Sequence, residues 1–202
     1  MIKLMKIIGI TLLLNFVILL VGMPNSNASD YNSILKGEYV FTGNFSCAWG
    51  PFGGDAFNPD LSRDANGYES SGNSHGVLTF NGDGTGSVIY TTLAIRHLYY
   101  KEGQYPVRGG SALGTLFYNV NEDKTFTVDI EITDSTPLIG PSAGATVTIS
   151  GIEWDGWIVQ GNQILSIYDT RPNIRIVTVG TEEPREDICS EKVTAFRKKM
   201  IE

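Results

Sequence analysis

The sequence predicts an all-β protein, an antiparallel up-and-down meander of about 8–10 strands closed into a barrel, with a long loop over one mouth. Apolar and polar residues alternate along most of the chain, and a helical period is nearly absent. Short turn-forming motifs separate several of the alternating segments. Two cysteines stand near the two ends of this series, which is the arrangement expected if the first and last strands are neighbours.

The alternation locates the individual strands. Its clearest example runs from Phe126 to Thr133, where apolar residues at every second position predict one dry and one wet face. Helix is confined to one turn before Gly37. We predict strands near residues 37–46, 75–81, 86–93, 114–120, 125–133, 145–151, 155–160, 163–169, 173–179 and 191–197.

Three segments have the composition of tight reversals between antiparallel strands. Asn81 to Thr85 reads Asn-Gly-Asp-Gly-Thr, and Asn121 to Thr125 reads Asn-Glu-Asp-Lys-Thr. Gly161-Asn162 is the third, and Asp155-Gly156 is a further candidate turn. Asn, Asp and Gly tolerate positive φ and hydrogen-bond the local backbone, which such reversals require. Strands joined in this way form a meander, which avoids exposed edges most simply by closing.

The two cysteines of the predicted domain indicate how the barrel closes. Cys47 ends the first strand and Cys189 lies just before the last. In an exported chain they are expected to form a disulfide. Because the end of one antiparallel strand lies beside the beginning of its neighbour, that disulfide would place the first and last strands side by side.

The first 28 residues have the composition of an export signal. Lys3 and Lys6 precede an apolar run over residues 7–21, and Ser26-Asn27-Ala28 follows it. The run falls short of the roughly 20 apolar residues that a membrane-spanning helix needs, so we do not expect an integral membrane protein. We predict cleavage near Ala28, one domain over residues 29–202, and a secreted or periplasmic location.

The charge of the chain excludes one class of partner. The formal net charge is -7, and loss of residues 1–28, which hold two lysines and no acidic residue, makes it -9. A nucleic-acid partner requires clustered Lys and Arg, and the only basic run is Arg197–Lys199. The acidic stretch from Glu182 to Asp187 is predicted to be a solvent-exposed loop.

Two groups of residues carry a resemblance to known proteins. Gly37-Glu38-Tyr39 at the start of the first strand and Arg197 in the last resemble the lipocalin and wider calycin pattern, with Tyr39 in place of the family's tryptophan. The turns at Phe80–Gly84 and Tyr118–Asp123 are similar to those of exported bacterial β-barrel proteins without an assigned activity. Both resemblances imply a barrel, and neither brings a catalytic motif.

The connection from Ala48 to Ser74 is too long for a turn. Connections of this length are usually functional or disordered, and this one holds Trp49, Phe52, Phe57 and Tyr68. Disordered segments rarely keep so many aromatic residues, so we predict a loop folded over one barrel mouth. The alternative is that these rings plug the end of the barrel as ordinary core.

A second aromatic group joins Tyr99, Tyr100 and Tyr105 to Trp154 and Trp157. Rings with a polar atom suit a site with one apolar and one wet end, and they suit a core equally well. The candidate ligand-binding residues are Trp49, Phe52, Phe57, Tyr68, Tyr99 and Tyr100.

No catalytic constellation stands out. Gly140 to Gly144 matches the nucleophile-elbow pattern around Ser142, but the residues after it read as a strand, and His75 and His97 both precede the serine. Residues 60–66 supply alternate oxygens but lack the acidic residue that completes a calcium loop. We therefore predict no catalytic residue, metal site or cofactor.

Three functions remain open at this point. The first is a non-enzymatic binding module for a small apolar or amphipathic molecule that enters one mouth. The second is a structural or protein-interaction barrel with a solid core, whose protein partner is unknown. The third is a barrel isomerase or lyase, which would need a titratable cluster at the base of an open pocket.

Overall fold

The structure is a computed structural model that describes residues 30–50, 57, 68–97, 107–139, 143–169 and 173–199. The predicted signal segment lies outside this part of the chain. A 3₁₀ helix, Asp30–Ile34, precedes the strands. Within the described residues the strands are β1 Lys36–Trp49, β2 Tyr68–Asn81, β3 Thr85–His97, β4 Val107–Val120, β5 Thr125–Ile139, β6 Val147–Val159, β7 Ile164–Tyr168, β8 Asn173–Val179 and β9 Arg185–Arg197.

The nine strands form one closed antiparallel sheet. Strands β1 to β6 pair in chain order, and β9 pairs with β1. Both β7 and β8 pair with β6 on one side and β9 on the other, so they lie end to end at one position of the barrel. The predicted eight-to-ten-stranded meander barrel is confirmed, with eight positions around its circumference.

Strand β6 is continuous, so the predicted break between residues 151 and 155 and the predicted turn at Asp155-Gly156 are wrong. Phe126 of β5 stands opposite Gly156, and a Cβ at Gly156 would lie 2.5 Å from Phe126 Cζ. The glycine makes room for this ring and forms no turn. Gly151, at φ 77°, marks an irregularity of β6 beside the gap between β7 and β8.

One end of the barrel, the closed mouth, is formed by the turns at residues 82–84, 121–124 and 160–163 together with the 3₁₀ helix. In the first turn the Asp83 carboxylate accepts hydrogen bonds from Thr85 N and Oγ1 at 2.9 and 2.7 Å. Asp123 and Thr125 repeat these bonds in the second turn. The predicted reversals at all three positions are confirmed.

The 3₁₀ helix is fixed across the closed mouth by hydrogen bonds. Tyr118 Oη donates to the carbonyl of Leu35 at 2.8 Å and accepts from Gly82 N at 2.8 Å. Asn32 Oδ1 accepts from Val120 N at 2.8 Å. Leu35 is fully buried, so this short segment closes the end of the barrel.

The half of the barrel next to the closed mouth is densely packed. Tyr39 contacts Phe80 edge to face with ring centroids 5.5 Å apart, and Phe80 contacts Tyr118 in the same manner at 4.9 Å. Leu116 and Leu165 are fully buried in the same core. This half therefore has the side-chain packing of a solid protein interior.

The predicted disulfide between Cys47 and Cys189 is confirmed. The two cysteines are register partners on β1 and β9, with Cα atoms 4.1 Å apart. Their bond lies across the seam where the first and last strands meet. A disulfide indicates an oxidising compartment.

Within the described residues no helix is both long and apolar enough to cross a membrane.

Candidate functional site

A cavity of about 170 Å³ occupies the half of the barrel away from the closed mouth. We call this end the open mouth; it is where β1 ends at Trp49, β4 begins at Val107 and β9 begins at Arg185. The strands bring apolar, polar and charged side chains to the cavity wall at successive depths.

Three aromatic rings form the deepest level of the cavity. Phe41 of β1 lies between Tyr90 of β3 and Trp154 of β6, with ring centroids 6.4 and 6.5 Å away. All three line the cavity. They separate it from the packed core below and give it an apolar floor with two polar atoms, the Tyr90 hydroxyl and the Trp154 indole nitrogen.

Small residues leave the space above this floor. Ala112 of β4 lines the cavity and is buried, and Gly110 lines it one inward position nearer the open mouth. On β1, Gly43 faces Ser74: a Cβ at Gly43 would lie 2.8 Å from Ser74 Oγ. Aliphatic side chains complete the wall, and they are Ile130, Ile149, Ile152, Val147, Val177 and Val179.

An ion pair is set into the apolar wall. Glu191 of β9 accepts hydrogen bonds from Arg175 Nη2 at 3.1 Å and from Ser74 Oγ at 2.9 Å. Its own backbone N–H donates to the Asp169 carboxylate at 2.5 Å, and Asn173 Nδ2 donates to the same carboxylate at 2.7 Å. Each carboxylate of this cluster therefore has at least two donors.

Burial changes the proton affinity of two groups in and beside this cluster. It raises the pKa of Asp169 to about 6, against the opposing attraction of Arg175 and the hydrogen bonds to the carboxylate. Burial also raises the pKa of Tyr90 above its ordinary value, and the Glu191 carboxylate adds to this shift. Tyr90 is therefore a neutral hydroxyl at physiological pH.

A second charged group lines the open mouth. The guanidinium carbon of Arg185 lies 4.3 Å from the centroid of the Trp49 ring, and that of Arg108 lies 5.6 Å from it. Trp49 Nε1 donates to Ser70 Oγ at 2.5 Å. Such cation–π contacts hold the guanidinium groups beside the cavity entrance.

Asp187 is the carboxylate of this second group. Arg185 Nε donates to Asp187 Oδ1 at 3.1 Å, and both side chains are almost fully buried. Burial raises the pKa of Asp187 to about 7 even though Arg185 and Arg175 favour the charged form. The ion pair is therefore only partly charged near neutral pH.

Two buried donors at the cavity lack acceptors. The Trp154 indole nitrogen and Arg175 Nε are buried without a hydrogen-bond partner. Buried N–H groups are normally satisfied, so these atoms call for an acceptor supplied by ordered water or by a bound molecule.

The candidate binding residues fall into three groups. Trp49 lines the cavity but belongs to β1, and Tyr68 begins β2; the expectation that both lie in the long loop is wrong. Phe57 is half-buried in an isolated bridge. Phe52, Tyr99 and Tyr100 lie outside the described residues, as does most of the connection predicted to cover the mouth. Ligand binding by any of the six stays a prediction.

The charged residues of the cavity were not predicted. The prediction of an exposed loop from Glu182 to Asp187 is wrong at its end, because Arg185 and Asp187 belong to the first residues of β9 and are buried. The available signal was parity: Arg185, Asp187, Cys189 and Glu191 occupy every second position and continue the inward series of Val193. A strand whose inward positions carry charged residues shows no apolar alternation, so the alternation does not predict it.

The two histidines stand on the outer wall, away from the cavity. His75 Nε2 and Thr91 Oγ1 are 2.7 Å apart, and His97 Nε2 and Ser71 Oγ are 2.6 Å apart. Ser142 of the nucleophile-elbow pattern lies outside the described residues. Among the residues that are described, no three His, Cys, Asp or Glu side chains are grouped so that they could hold a metal ion.

No family model matches the chain, and no curated protein matches its sequence. The resemblance to lipocalins and calycins therefore stays unconfirmed. The fold is similar to the crystal structure of Neisserial surface protein A (NspA), with a TM-score of 0.45 and 6% sequence identity over 81% of this chain and 100% of that chain.

Proposed function

We propose that this chain is an exported, non-enzymatic barrel that binds one small amphipathic molecule in the cavity at its open mouth. The observation that carries the proposal is the cavity itself, a space of about 170 Å³ above a floor of three aromatic rings. A cavity of about 150 Å³ with an apolar lining is large enough for one benzene ring. The bound molecule is therefore one ring or a short chain.

The polar atoms of the lining support an amphipathic molecule over a purely apolar one. Binding sites combine a mostly apolar wall with a few polar groups that fix the orientation of the ligand. Here those groups stand at two depths, Tyr90 and Trp154 on the floor and Arg108 and Arg185 at the entrance. A molecule with a polar atom can satisfy the indole N–H of Trp154, which an alkane would leave without a partner.

The outer wall supports a barrel that stands in water. Asp129 and Glu131 are exposed in the middle of β5, and Glu153 is exposed on the neighbouring β6. Charged side chains on the lipid-facing wall of a membrane barrel are destabilising, so this wall suits an aqueous compartment. Together with the Cys47–Cys189 disulfide, it supports a secreted or periplasmic location after cleavage near Ala28.

Binding is tested by NMR titration of the mature chain, residues 29–202, with toluene and with phenol. We expect saturable shifts of the Trp154 indole and the Ala112 amide, because both residues line the cavity. Ala112→Leu fills the space and is expected to abolish the shifts. The matched control is Thr115→Leu on the exposed face of the same strand. No saturable shift with either compound, or equal binding by the filled variant, contradicts the proposal.

A second candidate function rests on the outer wall of β3 to β5. Exposed apolar side chains cluster there, with Ile89 59% exposed and Leu138 65% exposed. The other members are Leu93, Ile95, Leu113 and Phe117. Exposed apolar patches mark contact surfaces, so this wall favours the protein-interaction alternative. Chemical-shift changes confined to this wall at rising protein concentration would support it over the cavity.

The barrel isomerase or lyase is favoured by one feature only. Arg175 and Glu191 form a titratable cluster in the lining, and Tyr90 lies close enough for both charges to act on its pKa. In the described structure, however, Glu191 is held by two donors and serves an ion pair. The cluster therefore supports binding more directly than acid–base catalysis.

A further inference from the structure

The floor of the cavity holds a hydrogen-bond donor that the protein itself leaves without an acceptor. Trp154 is only 5% exposed, and within the described part of the chain no group accepts a hydrogen bond from its indole N–H. The residue lines the cavity, and its ring centroid lies 6.5 Å from that of Phe41. A buried donor without an acceptor costs free energy, so a bound molecule that supplies an acceptor oxygen gains affinity from this group.

The charged groups of the lining are engaged with groups of the protein. Glu191 accepts a hydrogen bond from Arg175, and Asp187 accepts one from Arg185. The guanidinium of Arg108 lies over an aromatic ring at the entrance. A charged ligand would have to compete with these contacts, whereas an uncharged ligand leaves them intact.

The cavity also disfavours added negative charge. Burial raises the pKa of Asp187 to about 7, although Arg185 and Arg175 oppose the shift. Burial likewise raises the pKa of the Tyr90 hydroxyl above its ordinary value. A ligand carboxylate would lose its water in the same interior and would meet the same penalty. The acceptor that suits the floor is therefore the oxygen of an uncharged group such as a carbonyl.

The aliphatic part of the wall lies nearer the open mouth than Trp154 does. Strands β4 and β6 both begin at the open mouth, because antiparallel β5 lies between them. Val147 begins β6, and Trp154 lies further along the same strand. Val147, Val177 and Val179 form a buried cluster that lines the cavity. A ligand whose oxygen reaches Trp154 therefore has this aliphatic cluster beside its carbon atoms.

We infer that the cavity selects a small uncharged molecule with an acceptor oxygen, and that this oxygen points inward to the indole N–H of Trp154 while the carbon skeleton lies against Val147, Val177 and Val179. This inference rests on the proposed function, because it names the chemical class and the orientation of the ligand of the same cavity. Small ketones and esters belong to this class. A single placed donor in an apolar wall is sufficient to fix such an orientation.

The test uses two probes of the same shape, cyclopentanone and methylenecyclopentane, which differ only by an oxygen atom in place of a CH₂ group. Each is titrated by NMR into the mature protein carrying isotope-labelled tryptophan. We expect cyclopentanone to move the indole proton of Trp154 downfield, because a hydrogen bond to the carbonyl deshields that proton. Methylenecyclopentane is expected to bind in the same cavity without this downfield shift.

A variant then measures the contribution of the indole N–H to binding. Trp154→Phe removes the donor and keeps an aromatic ring at the floor. It is expected to weaken cyclopentanone binding about fivefold more than methylenecyclopentane binding, which corresponds to the loss of one hydrogen bond. The smaller ring affects both probes, so it cancels from this comparison. The matched control is Trp157→Phe on the exposed face of the same strand, which is expected to bind both probes like the wild type.

Two charged probes test whether the ligand is uncharged. Cyclopentanecarboxylate and cyclopentylammonium carry the same ring and opposite charges at neutral pH. Each is expected to bind about tenfold or more weakly than cyclopentanone, because its charge loses water without gaining an unengaged partner of opposite charge. Tighter binding of either charged probe than of cyclopentanone overturns the inference.

The outcomes separate the two proposals. Binding of cyclopentanone without a downfield shift of the Trp154 indole proton, or an equal loss for both uncharged probes in Trp154→Phe, overturns the inference and leaves the binding cavity in place. Binding of none of the four probes overturns both. If Trp154→Phe does not fold, the indole shift of the wild type decides.

Discussion

Asp187 connects the stability of the open mouth to pH. Its carboxyl group is buried beside Arg185, and the loss of water raises its pKa more than the arginine lowers it. The folded chain therefore holds a proton on this group at pH values where an unfolded Asp, with a pKa of about 3.9, has lost it. Within that window the folded state binds more protons than the unfolded state.

The sign of the pH effect follows. The contribution of Asp187 to the free energy of unfolding is fully present below about pH 4 and is lost as the pH rises through about 7. We expect the free energy of unfolding of the wild type, relative to Asp187→Asn, to fall by roughly 1–3 kcal/mol between pH 5 and pH 8. Urea unfolding at a series of pH values measures this difference.

The groups that face Asp187 define the control. They are Arg185 on its own strand, Arg175 on β8 and the backbone N–H of Gly50 after β1. Asp134→Asn removes a carboxyl group from the exposed outer wall and reports the effect of net charge alone. A pH-independent difference for Asp187→Asn, or one that grows in favour of the wild type as pH rises, would contradict this role.

At the scale of the element, the strands were predictable where their inward residues are apolar. Near the closed mouth, Phe126, Val128 and Ile130 of β5 and Leu116 of β4 fill the core, and the alternation of these strands located them. Strand β8 was predicted with the bounds that the structure has, Asn173–Val179. In these segments every second residue is apolar because every second side chain faces the buried core.

The strands were underpredicted towards the open mouth. β2 begins at Tyr68 and not near 75, and β4 begins at Val107 and not near 114. The inward positions in the added lengths carry small or polar residues, among them Ser70, Ser74 and Gly110. The missing alternation and the cavity therefore share one cause, because side chains too small to fill the barrel also leave no apolar pattern.

The candidate site was less predictable than the fold for a geometric reason. Aromatic content pointed to Trp49, which does line the cavity. Arg175, Asp187 and Glu191 lie on β8 and β9, and closure of the sheet carries β9 next to β1. Their grouping depends on the register of non-neighbouring segments, which local sequence patterns do not specify.

At the scale of the whole molecule, closure depends on the pairing of the first and last strands. β1 and β9 pair from Tyr39 to Trp49, and the disulfide between Cys47 and Cys189 joins residues separated by 142 positions. In the chain-entropy model, a covalent loop of this length stabilises the folded state by roughly 4–5 kcal/mol. The two halves of the barrel differ in packing, with a densely packed half at the closed mouth and a cavity in the other half.

Removal of the disulfide is expected to lower stability by several kcal/mol and to leave the fold intact, because the backbone pairing of β1 with β9 does not require sulfur. The variant is Cys47→Ser combined with Cys189→Ser, measured by urea unfolding and circular dichroism. Reduction of the wild type should give a similar loss, whereas the double variant should not respond to reductant. Unchanged stability in both cases would contradict the role of this bond in closure.

The central claim is that the barrel is hollow at its open mouth and binds a small amphipathic molecule there. The most direct measurement is a crystal structure of the mature protein with 4-bromophenol, in which anomalous scattering locates the bromine. We predict one bromine peak inside the barrel above Phe41 and Trp154. A cavity that holds only water at saturating ligand, or side chains that fill it, would contradict this claim.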